Sequence, residues 1–291
     1  MLAQFLQFLY SGMTVGSAYA LAALGFTIIY NTSGVINFAQ GEFIMLGGML
    51  AALLSAGGVP LPLAIIIAVA VTGAVGVMME KLVIEPARDA QVVTLIIITI
   101  GASLTIRGLV QIFLGKGTHA LAPFSGDTPI QFLGASLLPQ SLWVLGVTLL
   151  VVGALAWFFG RTMLGKAMLA TSNNRLAAQL VGIDTRRVLL LSFGLAALLG
   201  AVGGILVAPI TYTSYDAGIM LGLKGFVAAV LGGLGGGVGA VVGGLILGVA
   251  ESMTAGYISS SYKDAVPFVL ILLILFFMPR GLFGAKISER V

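Results

Sequence analysis

Residues 161–187 read RTMLGKAMLATSNNRLAAQLVGIDTRR, the one long charged interruption in an otherwise lipid-like chain. Apolar runs flank it, 142–159 before and 188–209 after, so the polar segment must leave the membrane between two spans. It carries five bases, Arg161, Lys166, Arg175, Arg186 and Arg187, against one acid, Asp184, and an excess of Lys and Arg in a short loop marks the cytoplasmic side. Asn173 or Asn174 is placed to N-cap a short helix over 175–181, Gly182 to stop it, and Asp184 to cap the span that follows. The segment reads as a short surface helix wedged between two membrane helices, a shape suited to a cytosolic partner.

Gly160, Gly165 and Lys166 also spell G-x4-G-K, the opening of a phosphate-binding loop. Ala167 stands where that loop needs a Ser or Thr for magnesium, and a membrane helix precedes it where a strand is required, so phosphate binding is rejected. Hydrophobic residues make up 59% of the 291 and charged ones 8%, far below the roughly 25% charged content of a soluble domain. The fold class that follows is an all-α polytopic integral membrane protein, residues 1–291 forming one transmembrane domain. Roughly 8–10 membrane segments are expected, broken or re-entrant helices included. Cys is absent, which excludes disulfides and thiolate metal sites, and no catalytic or metal-ligating group stands out. The net charge of +4 sits at membrane edges, so lipid topology explains it without a nucleic acid.

The first apolar run, 5–30, is about 39 Å long as a helix, more than the roughly 30 Å hydrocarbon core, and is expected to be tilted or broken, with Gly12, Gly16 and Gly25 offering close packing or bends. It is expected to remain as a span, since the stretch before it lacks a basic region and the apolar run is too long for a cleavable leader. Residues 31–41, NTSGVINFAQG, would be costly in lipid and must face protein or a water-filled path. The run after them, 43–56, is too short for a full span, so a break between partial helices is expected here, with Asn37, Gln40 and Glu42 lining or bracing it. Glu42 suits either function or the N-terminus of the next helix.

Residues 80–91 read as a solvated inner turn, Arg107 as a base near the outer end able to snorkel or to pair with a neighbouring carboxylate, and 115–141 as the longest external loop, with His119 solvated in it. Residues 211–224 are expected outside. The run 226–253 carries nine glycines between Gly232 and Gly248 and is read as a hairpin turning at 235–237, because a single span would put Arg280, Lys286 and Arg290 on the wrong face. On that topology ten bases lie inside and three outside, Lys224 and Lys263 among the latter, and the C-terminal tail is cytoplasmic.

Two motifs resemble a known family. Ala177, Ala178, Gly182 and Ile183 match the A-A-x3-G-I core by which permease subunits of ABC importers dock on their ATPases. Thr162, Gly165, Lys166 and Ala167 resemble the T-x2-G-[KR]-A lead-in of branched-chain amino acid permeases, although Leu169-Ala170 stands where many members have Arg-Ala. Tyr19, Ala20, Leu21 and Gly25, with Ile36 to Gly41, resemble the Y-A-L-x3-G and I-N-F-A-[QH]-G signature of LivH-type permeases. The resemblance implies a permease subunit in a bacterial inner membrane that translocates leucine, isoleucine and valine. The implied partners are a LivM-like permease, two cytosolic ATPases that hold ATP and Mg, and an external or periplasmic binding protein, with no cofactor on this chain. Arg175, Ala177, Ala178, Gly182 and Ile183 would form the ATPase contact. A related machine for urea or short amides shares these motifs, and an ion-coupled transporter would use Glu42 and Glu251 as buried coupling acids.

Overall fold

The structure is a computed structural model and describes residues 2–88, 90–132 and 134–284. The elements run α1 (Leu2–Ser33), α2 (Gln40–Ala56), α3 (Leu61–Met79), α4 (Val92–Phe113), β1 (Ile130–Phe132), β2 (Ala135–Leu137), α5 (Pro139–Arg161), α6 (Met163–Asn173), α7 (Arg175–Leu180), α8 (Thr185–Thr211), α9 (Ala217–Gly232), α10 (Gly237–Tyr257) and α11 (Val266–Phe277). Among the described residues seven helices are long and apolar enough to cross a membrane, and α2 and α9 are shorter apolar helices. Leu, Ile, Val and Phe side chains of α4, α5 and α11 point outward, the pattern of a lipid-facing rim around a buried core.

Helix α1 is unbroken over 32 residues, contrary to one of the two expectations for it. Its glycines serve packing: a Cβ at Gly12 or Gly16 would run into the α10 backbone at Gly248 or Gly244, so the two helices touch backbone to backbone. Gly200 and Gly204 of α8 do the same against Phe43 and Ile44 of α2. Two like units interlock. Each is a long helix (α1 or α8), a non-helical break (34–39 or 212–216), a short helix (α2 or α9) and a third helix (α3 or α10). The long helix of each unit packs on the short and third helices of the other, and the short helices cross where Gly41 meets Gly218, each the second residue of its helix.

The 233–236 turn between α9 and α10 has positive φ at Gly233 and Gly235, so the expected hairpin is present and the glycines make its reversal possible. At this end of the bundle lie the 34–39 break, linked by an Asn31 Nδ2 to Gly235 carbonyl bond of 2.9 Å, and the 161–187 loop. Here too residues 282–283 donate backbone hydrogen bonds to the α9 carbonyls of Leu231 and Gly232, while Lys286 and Arg290 lie outside the described residues. At the opposite end are 115–141, the 212–216 break and the 3-10 turn Ser260–Ala265.

Three local readings change. Residues 80–87 do not form a solvated turn: the chain continues from α3 through a π turn, Glu80–Ile84, and a 3-10 turn, Glu85–Ala87, with Glu80 buried. Loop 115–141 contains the β1–β2 hairpin, whose Ser136 exchanges two hydrogen bonds, of 2.6 and 2.8 Å, with the Gln7 amide of α1. His119 is not solvated; it is half-buried in a backbone bridge to Thr213, with its Nε2 buried.

Candidate functional site

The 161–187 loop is ordered by its caps. Thr162 Oγ1 accepts from Gly165 N at 3.0 Å and opens α6, a helix that the sequence reading missed. Gly165 must lack a side chain there, because a Cβ would strike the backbone of Phe158 and Phe159. Asn174 Oδ1 accepts from Ala177 N at 3.0 Å and opens α7. At its far end Gly182 N bonds Gln179 O, Ile183 N bonds Ala178 O, and Gly182 has φ +86°, the paired pattern of a Schellman stop. Ile183 then packs into the main core, and Asp184 Oδ1 accepts from Arg186 N and Arg187 N to start α8. The expected helix and both caps are therefore present, one residue shorter than 175–181.

The faces of α7 differ from expectation. Ala177 is exposed, but Ala178 is 3% exposed and turned into the chain's own core, so its small size is required by this subunit. Facing outward instead are Leu176, Leu180 and Val181, each at least 70% exposed. Leu176 and Leu180 are four apart on one helical face, a spacing that the sequence displayed and the motif distracted from. Arg175 lines a small cavity with Asn37 and Ser33, bringing the start of α7 next to the 34–39 break.

At that break Asn37, Gln40 and Glu42 are all buried and face protein. Asn37 Oδ1 accepts from Ala39 N at 3.0 Å, and Gln40 Nε2 donates to Ala196 O at 2.9 Å in a niche left open by Gly25 and Gly200. Glu42 Oε1 accepts from Ser103 Oγ at 2.8 Å and forms an ion pair with Arg107. Of the two expectations for Arg107 the carboxylate pair holds: it turns inward to α2 and does not snorkel. Asn37 Nδ2, Gln40 Oε1 and Glu42 Oε2 are buried without hydrogen-bond partners. Beside Glu42 and Arg107 lies a cavity of about 240 Å³ walled by Phe26, Phe38 and Phe226 and reaching Gly218 and Gly222 at the start of α9.

A second charged cluster was not foreseen. Lys224, expected in an external loop, lies within α9 with its side chain 9% exposed. Its Nζ is 3.0 Å from Glu251 Oε1 and 2.7 Å from Asp264 Oδ1, while Tyr19 donates its hydroxyl to Glu251 Oε2 at 2.7 Å. Glu42 and Glu251, the two acids that an ion-coupled mechanism would use, are both buried and each is paired with a base. A lysine inside the apolar run 217–232 was the available signal, since an intramembrane charge implies a partner.

A family model described as "Branched-chain amino acid transport system / permease component" matches residues 8–275. The high-affinity branched-chain amino acid transport system permease protein LivH of Escherichia coli K12 is 35% identical, over 99% of this chain and 98% of that protein. The corresponding BraD protein of Pseudomonas aeruginosa is likewise 35% identical, over 99% and 98%. A solved structure, PsaBC from Streptococcus pneumoniae in complex with Fab, shares the fold with a TM-score of 0.54 at 15% identity, over 96% of this chain and 97% of that one.

Proposed function

The chain belongs to the family of permease components of branched-chain amino acid transport systems, and on that premise we propose that it is one of two membrane permeases of an ATP-driven importer of leucine, isoleucine and valine. Its mate is a LivM-like permease of the bacterial inner membrane. Two cytosolic ATPases hold ATP and Mg, and an external binding protein delivers the amino acid near loop 115–141. The 161–187 loop and the C-terminal tail face the cytosol, since most of the bases gather at that end.

The observation that carries the reading is α7 itself: a capped six-residue helix that presents Leu176, Leu180 and Val181 to a partner while Ala178 and Ile183 tie it to the core. Exposed apolar side chains on a polar loop are a contact surface. Closure of the ATPase pair would push α7, and the push passes through Ile183 and Asp184 to α8. From α8 it reaches Gln40, whose amide holds the Ala196 carbonyl, and so the 34–39 break. Asn37, Gln40 and Glu42 brace that break, and the substrate passes beside it. The test is uptake in vesicles holding both permeases, both ATPases and the binding protein, with leucine, isoleucine, valine and urea offered with and without ATP. ATP-dependent accumulation of the three aliphatic amino acids is expected. Accumulation without ATP, or of urea alone, would overturn the reading. Leu180→Asp should abolish ATPase copurification and uptake while leaving membrane insertion intact.

A further inference from the structure

Tyr19, Lys224 and Glu251 line a cavity of about 380 Å³ at the end of the bundle opposite the 161–187 loop, with Lys263 also on its lining and Asp264 behind Lys224 outside it. That volume falls within the range of about 300–1,000 Å³ typical of small-ligand pockets. Val15, Met220, Leu221 and Ala255 give it apolar walls, while Lys224 and Glu251 offer opposite charges side by side. Glu251 is 6% exposed, and although its Oε1 lies 3.0 Å from Lys224 Nζ it accepts no aligned hydrogen bond, so one acceptor stays open toward a donor. Asp264, the other partner of Lys224, is different in kind. Its side chain is 49% exposed, and it sits on the 3-10 turn Ser260–Ala265, none of whose residues is buried. At the rim, Tyr212 has φ +59°, the one non-glycine residue with positive φ among those described, and such strain gathers at functional positions.

We infer that this cavity receives an aliphatic α-amino acid on its way into the permease: its carboxylate replaces Asp264 on Lys224 Nζ, its ammonium meets Glu251 Oε1, and its side chain lies on the apolar walls. The inference rests on the transport function proposed above and adds the receiving site. Exchange of one carboxylate for another leaves Lys224 charge-paired throughout, so the ammonium is never stranded in a low-dielectric wall. Asp264 acts as a stand-in for the ligand, held on a strap that swings aside when the ligand arrives. The paired opposite charges match a zwitterion, whereas a lone acid or base would select a singly charged ligand.

The chain has no cysteine, so a single introduced cysteine is the one labelled site on this subunit, and the reaction is read on this subunit alone. Ala255→Cys in the reconstituted transporter should react with a membrane-impermeant methanethiosulfonate added outside. L-leucine should slow that reaction about fivefold at a concentration about four times its dissociation constant, and 3-methylbutylamine, which lacks the carboxylate, should leave it unchanged. Adding Lys224→Gln should remove the leucine effect. Adding Asp264→Asn should lower the leucine concentration needed, because the competitor is gone; a purely structural salt bridge predicts the opposite sign. Asp264→Asn also carries the test if Lys224→Gln fails to assemble. A cysteine that does not react, equal protection by the amine, or no protection in a complex that imports leucine would each overturn the inference. A complex that imports no leucine, yet is protected by another zwitterionic amino acid, would refute the substrate proposed above and still support the cavity's role.

Discussion

The two interlocking units each bury an ion pair on the short helix, but they do so differently. In the first, the acid Glu42 is the third residue of α2, where the helix dipole favours a carboxylate, and both its partners, Ser103 and Arg107, are fixed on α4. In the second, the base Lys224 is the eighth residue of α9, far from either helix end, and is held by one acid on α10 and another on an exposed turn. The dipole gives Lys224 no help, so it relies on two carboxylates, one of them replaceable. A closed pair between two helices is a brace. An open pair with one partner on a strap is a place where something can exchange.

The contrast can be broken most forcefully at Glu42. Glu42→Ala leaves Arg107 facing a largely buried gap, and losing one partner of a buried pair costs about 3–5 kcal/mol, the lower figure applying here because Arg107 retains some solvent contact. Replacing both, as Glu42→Leu with Arg107→Met, should recover most of that loss, read as thermal unfolding of the purified complex. If the double variant is as unstable as Glu42→Ala, the pair does more than brace. The symmetry of the two units is tested at their crossing: Gly41→Ala and Gly218→Ala each drive a methyl into the other helix, overpacking that typically costs about 1–3 kcal/mol. Equal losses are expected, and a silent change at either position would show that the units are not equivalent there. Gly182→Val puts a β-branched residue at φ +86°, which costs about 1–2 kcal/mol locally. It should weaken ATPase copurification without lowering the melting temperature of the membrane helices. The smallest effect belongs to Asp264→Asn, where a half-exposed ion pair contributes about 1 kcal/mol or less. A stability loss comparable to that of Glu42→Ala would erase the distinction between brace and exchangeable pair.

What the sequence disclosed depended on whether the signal was local. Asn174, Gly182 and Asp184 announce their caps because an N-cap or a left-handed stop is fixed by residues within a few positions. The 34–39 break was legible because polar residues interrupt an apolar run, and the α9–α10 hairpin because charge parity forbade a single span. Arg107 and Glu42 are 65 residues apart, and nothing in a one-dimensional pattern pairs them. Lys224 was misplaced because the nearby residues 212–216 do form a break, so the helix was begun too late. Ala178 was assigned outward by the resemblance of its motif, but a small residue fits a close neighbour in its own chain as well as in another.

The clamp between Gln7 and Ser136 has a mechanical consequence. The β1–β2 hairpin is stitched to the first turns of α1, while α7 is stitched by Ile183 to the first turn of α8, and α1 and α8 touch where Gly203 faces Leu21. A load applied to the hairpin by anything grasping that end would therefore travel down one stiff rod, cross where the two helices pack together and emerge along the other at α7. The two ends of the molecule are joined in series like the arms of a pair of scissors, and neither can be gripped without the other feeling the torque.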